Sequence, residues 1–228
     1  MISLWLASGY FLLIHFGVSG TRLRDALVAP LGEGAYRGVF SLASFAGLVW
    51  MGAAYARAPD IELWGKLHGL RPLAFAVVLV GVLFVVLGLA TANPTSVRME
   101  AKLAQGPLPV RGIVRITRHP FLWGVGLWAF VHLAVNGDLA SLVLFGSLLL
   151  LALAGTGVID AKLRRRHGER WQAFAASTSN VPFAAIAAGR NQLAPALREI
   201  GLVRPLIGIG VYVLIFALHG RVIGVPLR

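Results

Sequence analysis

The stretch Arg115-Ile116-Thr117-Arg118-His119-Pro120-Phe121-Leu122-Trp123-Gly124 sets a histidine between an arginine and a proline, where a polar segment gives way to an apolar run. Proline has no N–H to lose at the first helical position, so Pro120 marks a predicted helix start. His119 then lies at a membrane surface, its ring able to enter the apolar slab while the Arg118 guanidinium stays among headgroups. A second such histidine is His15, which shares a helix face with Ser8, Ser19 and Arg22 at one-turn or heptad spacing. A polar stripe on an otherwise apolar helix faces a bundle interior or a cavity rather than lipid. His15 therefore reads either as a packing histidine hydrogen-bonded to a neighbouring helix or as a ligand. For His119 the two readings are a partner of lipid phosphate beside Arg118, or again a ligand. The chain has no cysteine, which excludes disulfides, iron–sulfur clusters, thiolate ligands and covalently attached c-type haem.

The elements that must position these groups follow from composition. Of 228 residues, 57% are hydrophobic and only 13% charged, and the mean hydropathy is +0.78. That balance belongs to a polytopic membrane protein rather than a soluble domain. Six apolar segments are predicted to span, at about 2–20, 38–56, 72–92, 120–135, 139–159 and 205–220. Most approach the ~20 residues needed to cross the hydrocarbon core. The fourth and sixth are shorter, which implies less tilt or a locally thinned bilayer. Arg71-Pro72 and Arg204-Pro205 start helices as Arg118-His119-Pro120 does. Asn136-Gly137-Asp138 supplies a helix stop and a following cap, and so predicts a tight hairpin. The expected fold is an all-α membrane helical bundle, one domain over residues 1–228. An interfacial amphipathic helix is expected from Asp160 to Ser177, with Leu163, Trp171 and Phe174 on its apolar side, and a second short surface helix from Asn191 to Ile200. Met1-Ile2-Ser3-Leu4-Trp5 lacks the basic segment of a secretory signal, so the first helix is expected to be retained.

Orientation comes from Lys and Arg. Segments 21–37, 93–119 and 160–204 carry sixteen of the 21, against Arg57, Lys66, Arg71, Arg221 and Arg228 elsewhere. The positive-inside rule makes the first set cytoplasmic and both termini non-cytoplasmic. The net charge of +12 is thus a topology signal and an attraction to anionic membrane lipids. No basic stripe with interleaved aromatics is left over, so nucleic acid is not an expected partner.

Depth then sorts the six histidines. His15 and His119 fall on the cytoplasmic side, His68, His132 and His219 near the opposite surface, and His167 in the last cytoplasmic segment. His119 and His132 lie 13 residues apart on one helix, about 20 Å, so a single metal cannot use both. A pair of neutral imidazoles is what six-coordinate haem iron takes. Phe11, Phe16, Phe121 and Trp123 are available as walls for a porphyrin, and Arg22, Arg115 and Arg118 for its propionates. No spacing signature for b-type haem accompanies them.

Four stretches resemble the NnrU family of membrane proteins: His15 to Arg24 (HFGVSGTRLR), Gly32 to Ser44 (GEGAYRGVFSLAS), Gly112 to Asp138 (GIVRITRHPFLWGVGLWAFVHLAVNGD) and Gly168 to Ala185 (GERWQAFAASTSNVPFAA). The resemblance implies a bacterial inner-membrane protein associated with denitrification and nitric-oxide metabolism. NnrU proteins are similar to ζ-carotene isomerases, membrane enzymes with b-type haem. Carried across by position, this implies His15 and His119 as haem ligands; Arg22 and Arg118 would then position the propionates, and Trp123 would serve as a wall. It further implies an apolar polyene substrate, if the protein is an isomerase.

A wider similarity runs to isoprenylcysteine and phospholipid methyltransferases, through Arg118-His119-Pro120, Gly124, Asp160 and His167-Gly168-Glu169-Arg170-Trp171-Gln172-Ala173-Phe174. It implies S-adenosylmethionine as cofactor and methyl transfer to a lipid or prenylated substrate. Here Asp160 stands where a glutamate is usual, and Trp171 and Phe174 where tyrosines are usual. A third reading is an assembly factor whose partners are nitrite or nitric-oxide reductase components.

Overall fold

The computed structural model describes residues 1–96, 99–100, 106 and 109–224. Arg98, Lys102 and Arg228, three of the charges counted for orientation, lie outside them. Among the described residues the structure is helical, with a single isolated β-bridge between Glu62 and Asp138. Helix α1 (Ile2–Leu13) passes directly into a π-helical turn, Ile14–Ser19. It is followed by α2 (Leu23–Ala56), α3 (Arg71–Leu89), α4 (Pro120–Asn136) and α5 (Leu139–His167). The last part of the chain forms α6 (Glu169–Ala176), α7 (Ala184–Ala187), α8 (Leu193–Ile200) and α9 (Val203–Val222). Among the described residues, five segments are long and apolar enough to cross a membrane: Ile2–Ser19, Leu23–Ala56, His68–Leu89, Leu139–His167 and Val203–Val222. Helix α4 is apolar but shorter, at 17 residues. The expected all-α polytopic bundle is what forms.

The predicted helix starts hold. Pro120 opens α4, Arg71-Pro72 opens α3, and Arg204-Pro205 lies in the first turn of α9. The hairpin between α4 and α5 turns at Gly137, with φ +69°. Asp138 then caps α5 through its carboxylate, which accepts from the Ser141 N–H at 2.8 Å and the Ser141 hydroxyl at 2.6 Å.

Two expectations are corrected. Residues 21–37, expected to connect the spans at 2–20 and 38–56, are largely helical, because α2 already begins at Leu23 and bends at Gly32, whose φ of 76° and ψ of 157° are non-helical. Pro30 lacks the N–H that would continue the ladder there, so the charged residues sit on helix flanking a kink. The second correction concerns the helix expected from Asp160 to Ser177. Helix α5 runs on to His167, and a break at Gly168 (φ +49°) separates it from α6. Leu163, Trp171 and Phe174 are buried in protein rather than presented to an interface. Trp171 and Phe174 pack on each other with ring centroids 5.6 Å apart.

The chain forms two compact units, Met1–Ala74 with Ala129–Lys162 and Phe75–Trp128 with Leu163–Arg228. In the first, Leu4, Ala7 and Phe11 of α1 pack with Met51 and Ala54 of α2 and with Ala140 and Val143 of α5. In the second, α3 and α4 meet through glycine. A Cβ on Gly124 would lie 2.5 Å from the Gly81 carbonyl oxygen, and one on Gly81 would lie 2.9 Å from the Gly124 carbonyl oxygen. Small residues at such crossings let two apolar helices touch backbone to backbone.

Candidate histidine sites

In the first unit, His15 sits in the π-helical turn. Its Nδ1 lies 2.8 Å from the Phe11 carbonyl oxygen, so Nδ1 carries the proton and donates. Nε2 is thereby left as the lone-pair nitrogen. This is the arrangement by which a second partner fixes the tautomer of a ligating histidine. The ring is held on two sides by aromatics, with Phe11 at 4.3 Å and Phe40 edge-on at 5.2 Å between centroids. Single π-helical turns inside α-helices often mark functional positions, since the extra residue rotates the side chains that follow.

The aromatic wall continues from Phe40 to Tyr36, stacked at 5.9 Å. Beyond Tyr36 stands the Arg24 guanidinium, 5.2 Å from the ring centroid. Arg24 is buried and pairs with Glu33 and with Asp25, while Arg37 reaches the same Glu33 carboxylate at 2.9 Å. The expected stripe divides accordingly. Ser8 is 2% exposed and faces the core, whereas Arg22 is exposed. Arg24, which spacing from His15 did not single out, is the cation beside this wall. The available signal was Glu33 with Arg37 one turn later, an i,i+4 ion pair on a kinked helix.

In the second unit, His119 is 2% exposed, and its backbone is fixed from both sides. Its N–H meets the Thr117 hydroxyl at 3.2 Å, and its carbonyl accepts from the Trp123 N–H at 3.0 Å in the first turn of α4. The preceding Arg118 carbonyl accepts from the Asn93 side-chain amide at 2.7 Å and from the Thr95 hydroxyl. Segment 177–183 closes over this corner. The Ser179 carbonyl accepts from the Arg118 N–H, and the Asn180 carbonyl accepts from both the Thr117 hydroxyl and the Trp123 indole N–H. Arg118 does not reach outward to headgroups as a bare charge. Its guanidinium lies 5.6 Å from the centre of the Trp171 ring and 3.4 Å from the Thr178 carbonyl oxygen. Trp123 is held by its indole N–H, with the rest of the ring available as an apolar surface.

Below the corner, Arg115 makes a side-on pair with Glu199 of α8, its Nε 2.8 Å from Oε2 and its Nη2 2.9 Å from Oε1. The Gly112 N–H donates to the same carboxylate at 2.7 Å, and Arg115 also donates to the Asn191 side-chain oxygen at 3.0 Å. The guanidinium holds the Glu199 carboxyl well below the usual range, at about 2. Arg115 is thus bound within the protein, in a pair that ties residues 112–115 to α8.

His15 and Arg22 belong to the first unit, and Arg118, His119 and Trp123 to the second. Among the described residues, no three His, Cys, Asp or Glu side chains cluster as a metal-ion cage. Fold and site together define an all-α polytopic membrane protein with one histidine held in a π-helical turn and another buried at a helix start. The chain belongs to the NnrU family, matching the family description "NnrU protein" over residues 3–227. It is 31% identical over 187 residues to the 15-cis-zeta-carotene isomerase, chloroplastic, of Arabidopsis thaliana, covering 80% of this chain and 50% of that protein. The isomerase of the same name from Zea mays is 37% identical over 82 residues, which is 36% of this chain and 22% of that protein. The chain thus spans at most half the length of these curated relatives. No solved structure matches it significantly.

Proposed function

We propose that this protein binds b-type haem through His15 and His119 and isomerises a double bond of an apolar polyene within the bacterial inner membrane, in support of nitric-oxide or nitrite metabolism. The observation that carries the reading is the His15 Nδ1 to Phe11 carbonyl hydrogen bond, which leaves Nε2 as an iron-ready lone pair. The second support is similarity to isomerases that act on a carotenoid, as their name states. Haem would supply a Lewis-acidic iron for the double bond.

The chain's own residues would bind and orient. Phe11 and Phe40 set the plane of the His15 ring. Thr117, Asn93 and Thr95 hold the Arg118–His119 peptide group. Trp123 follows His119 by one helical turn, and burial of His119 keeps water from it. Arg118 acts as a positioning residue through its contact with Trp171, and Arg22, being exposed, is the cation free to meet a propionate.

Absorption spectra of purified protein, oxidised and reduced, test the proposal. Wild type is expected to show a Soret band and reduced-state bands of a six-coordinate b-type haem. His15→Ala and His119→Ala should each lose the six-coordinate spectrum while keeping helical circular dichroism. Purified protein without a Soret band, or both variants with wild-type spectra, would sink it.

A further inference from the structure

Helix α4, with 17 residues, is only about 25 Å long at 1.5 Å per residue, short of the ~30 Å hydrocarbon core. Its C-terminal carbonyls and the turn at Gly137 would then end within the depth of the bilayer. Irregular backbone at that depth is tolerated only where protein satisfies its polar groups. The segment between α2 and α3 does this. The Trp64 indole N–H donates to the Ala134 carbonyl at 3.0 Å, and the Leu67 N–H to the Val135 carbonyl at 3.0 Å. The N–H groups of Leu63 and Trp64 donate to the Gly137 carbonyl at 2.9 and 3.1 Å. In return, the Ile61 carbonyl accepts the N–H of Leu139, the first residue of α5, at 2.8 Å. The orphan groups of two helix ends are thereby taken up by one loop. The fit is close: a Cβ on Gly137 would lie 2.1 Å from the Gly65 carbonyl oxygen.

Much of this loop's exposed surface is apolar, although Glu62, Lys66 and His68 are exposed too. Ile61, Leu63, Trp64, Leu67 and Leu70 are each 39–47% exposed, although their backbone is pinned. An aqueous loop would not carry five large apolar side chains outward in so short a run. The loop also joins two membrane-spanning segments, Leu23–Ala56 and His68–Leu89, so covalent geometry holds it at the membrane surface. We propose that residues 61–70 form a preformed interfacial foot, seated in the headgroup–acyl boundary of the bilayer, that completes the short fourth span. Tryptophan with leucine, with Lys66 among them and Arg57 and Arg71 to either side, is the composition that boundary selects.

The absence of native cysteine makes the test direct. Leu63→Cys and, separately, Ile61→Cys are labelled with an environment-sensitive dye and reconstituted into vesicles of phosphatidylcholine and phosphatidylglycerol, after helical circular dichroism shows each is folded. Blue-shifted emission, strongly quenched by lipids brominated near the headgroup end of the acyl chain and weakly by aqueous iodide, is expected at both positions. Aqueous-like emission quenched by iodide would overturn the proposal. So would shielding from both quenchers, which would mean that protein, such as a second copy of the chain, covers the loop.

Discussion

A histidine's chemistry is decided by the atom its second nitrogen touches. In His15 that atom is the carbonyl oxygen four residues back, available because the helix has widened into a π-turn. The Glu199–Arg115 pair is the titrating feature outside the spans. Because the folded carboxyl titrates at about 2, below the ~4.3 of a free glutamate, the pair stabilises the fold above the unfolded pKa. That contribution is lost progressively as pH falls from about 4.3 toward 2. Both side chains are part-exposed, so it is worth about 1 kcal/mol at most. Glu199→Gln is expected to lower the thermal midpoint at pH 7 and to flatten its dependence between pH 5 and 2, as read by circular dichroism in detergent. An unchanged pH profile would remove Glu199 from this role. At Trp123, replacement by Phe deletes the indole donor to the Asn180 carbonyl, which keeps the Thr117 hydroxyl. A loss of about 1 kcal/mol is expected in denaturant titrations.

At the scale of elements, the crossing of α3 and α4 sets where His119 and Pro120 lie. Gly124→Ala places a methyl 2.5 Å from the Gly81 carbonyl oxygen and 2.9 Å from the Val85 nitrogen, both rigid backbone. The helices must separate, at a cost of about 1–3 kcal/mol. Gly9→Ala in α1 meets nothing within 4 Å and should be neutral or stabilising by about 1 kcal/mol through helix propensity. Thermal shifts of the two variants in the same detergent check the contrast, and equal shifts would rule out a glycine-mediated crossing. The same distances explain why α4 can be short: its far end is closed by the residue 61–67 loop rather than by extra helix.

At the scale of the whole molecule, the distribution of Lys and Arg predicts orientation. Arg57→Cys, on the same side but outside residues 61–70, should react with an impermeant maleimide applied outside intact cells. Arg198→Cys on α8 should react only after permeabilisation, since its segment is expected to be cytoplasmic. Reversal of that pattern would invert the topology. His15 and His119 belong to different units, each with its own packing.

Spans, helix starts and the hairpin at Asn136-Gly137-Asp138 were legible in the chain because they depend on local forces: apolar length, proline's missing donor, glycine's freedom at positive φ and aspartate's capping oxygen. The same locality made His119 conspicuous beside Pro120. The helix within residues 21–37 and the buried face of α6 are not legible there, because charge and amphipathic pattern do not say what an element packs against. Asn93 and the Asn180 carbonyl are remote in sequence from the groups they hold, and only folding brought them there, whereas Arg24 meets Glu33 and Tyr36 across the kink of one helix. The tautomer of His15 was equally out of reach, since it rests on one carbonyl oxygen whose position the π-turn sets. Sequence alone determined a membrane bundle with histidines at helix boundaries. Tertiary structure decided which polar groups are held, because hydrogen-bond partners are chosen by distance and not by spacing along the chain.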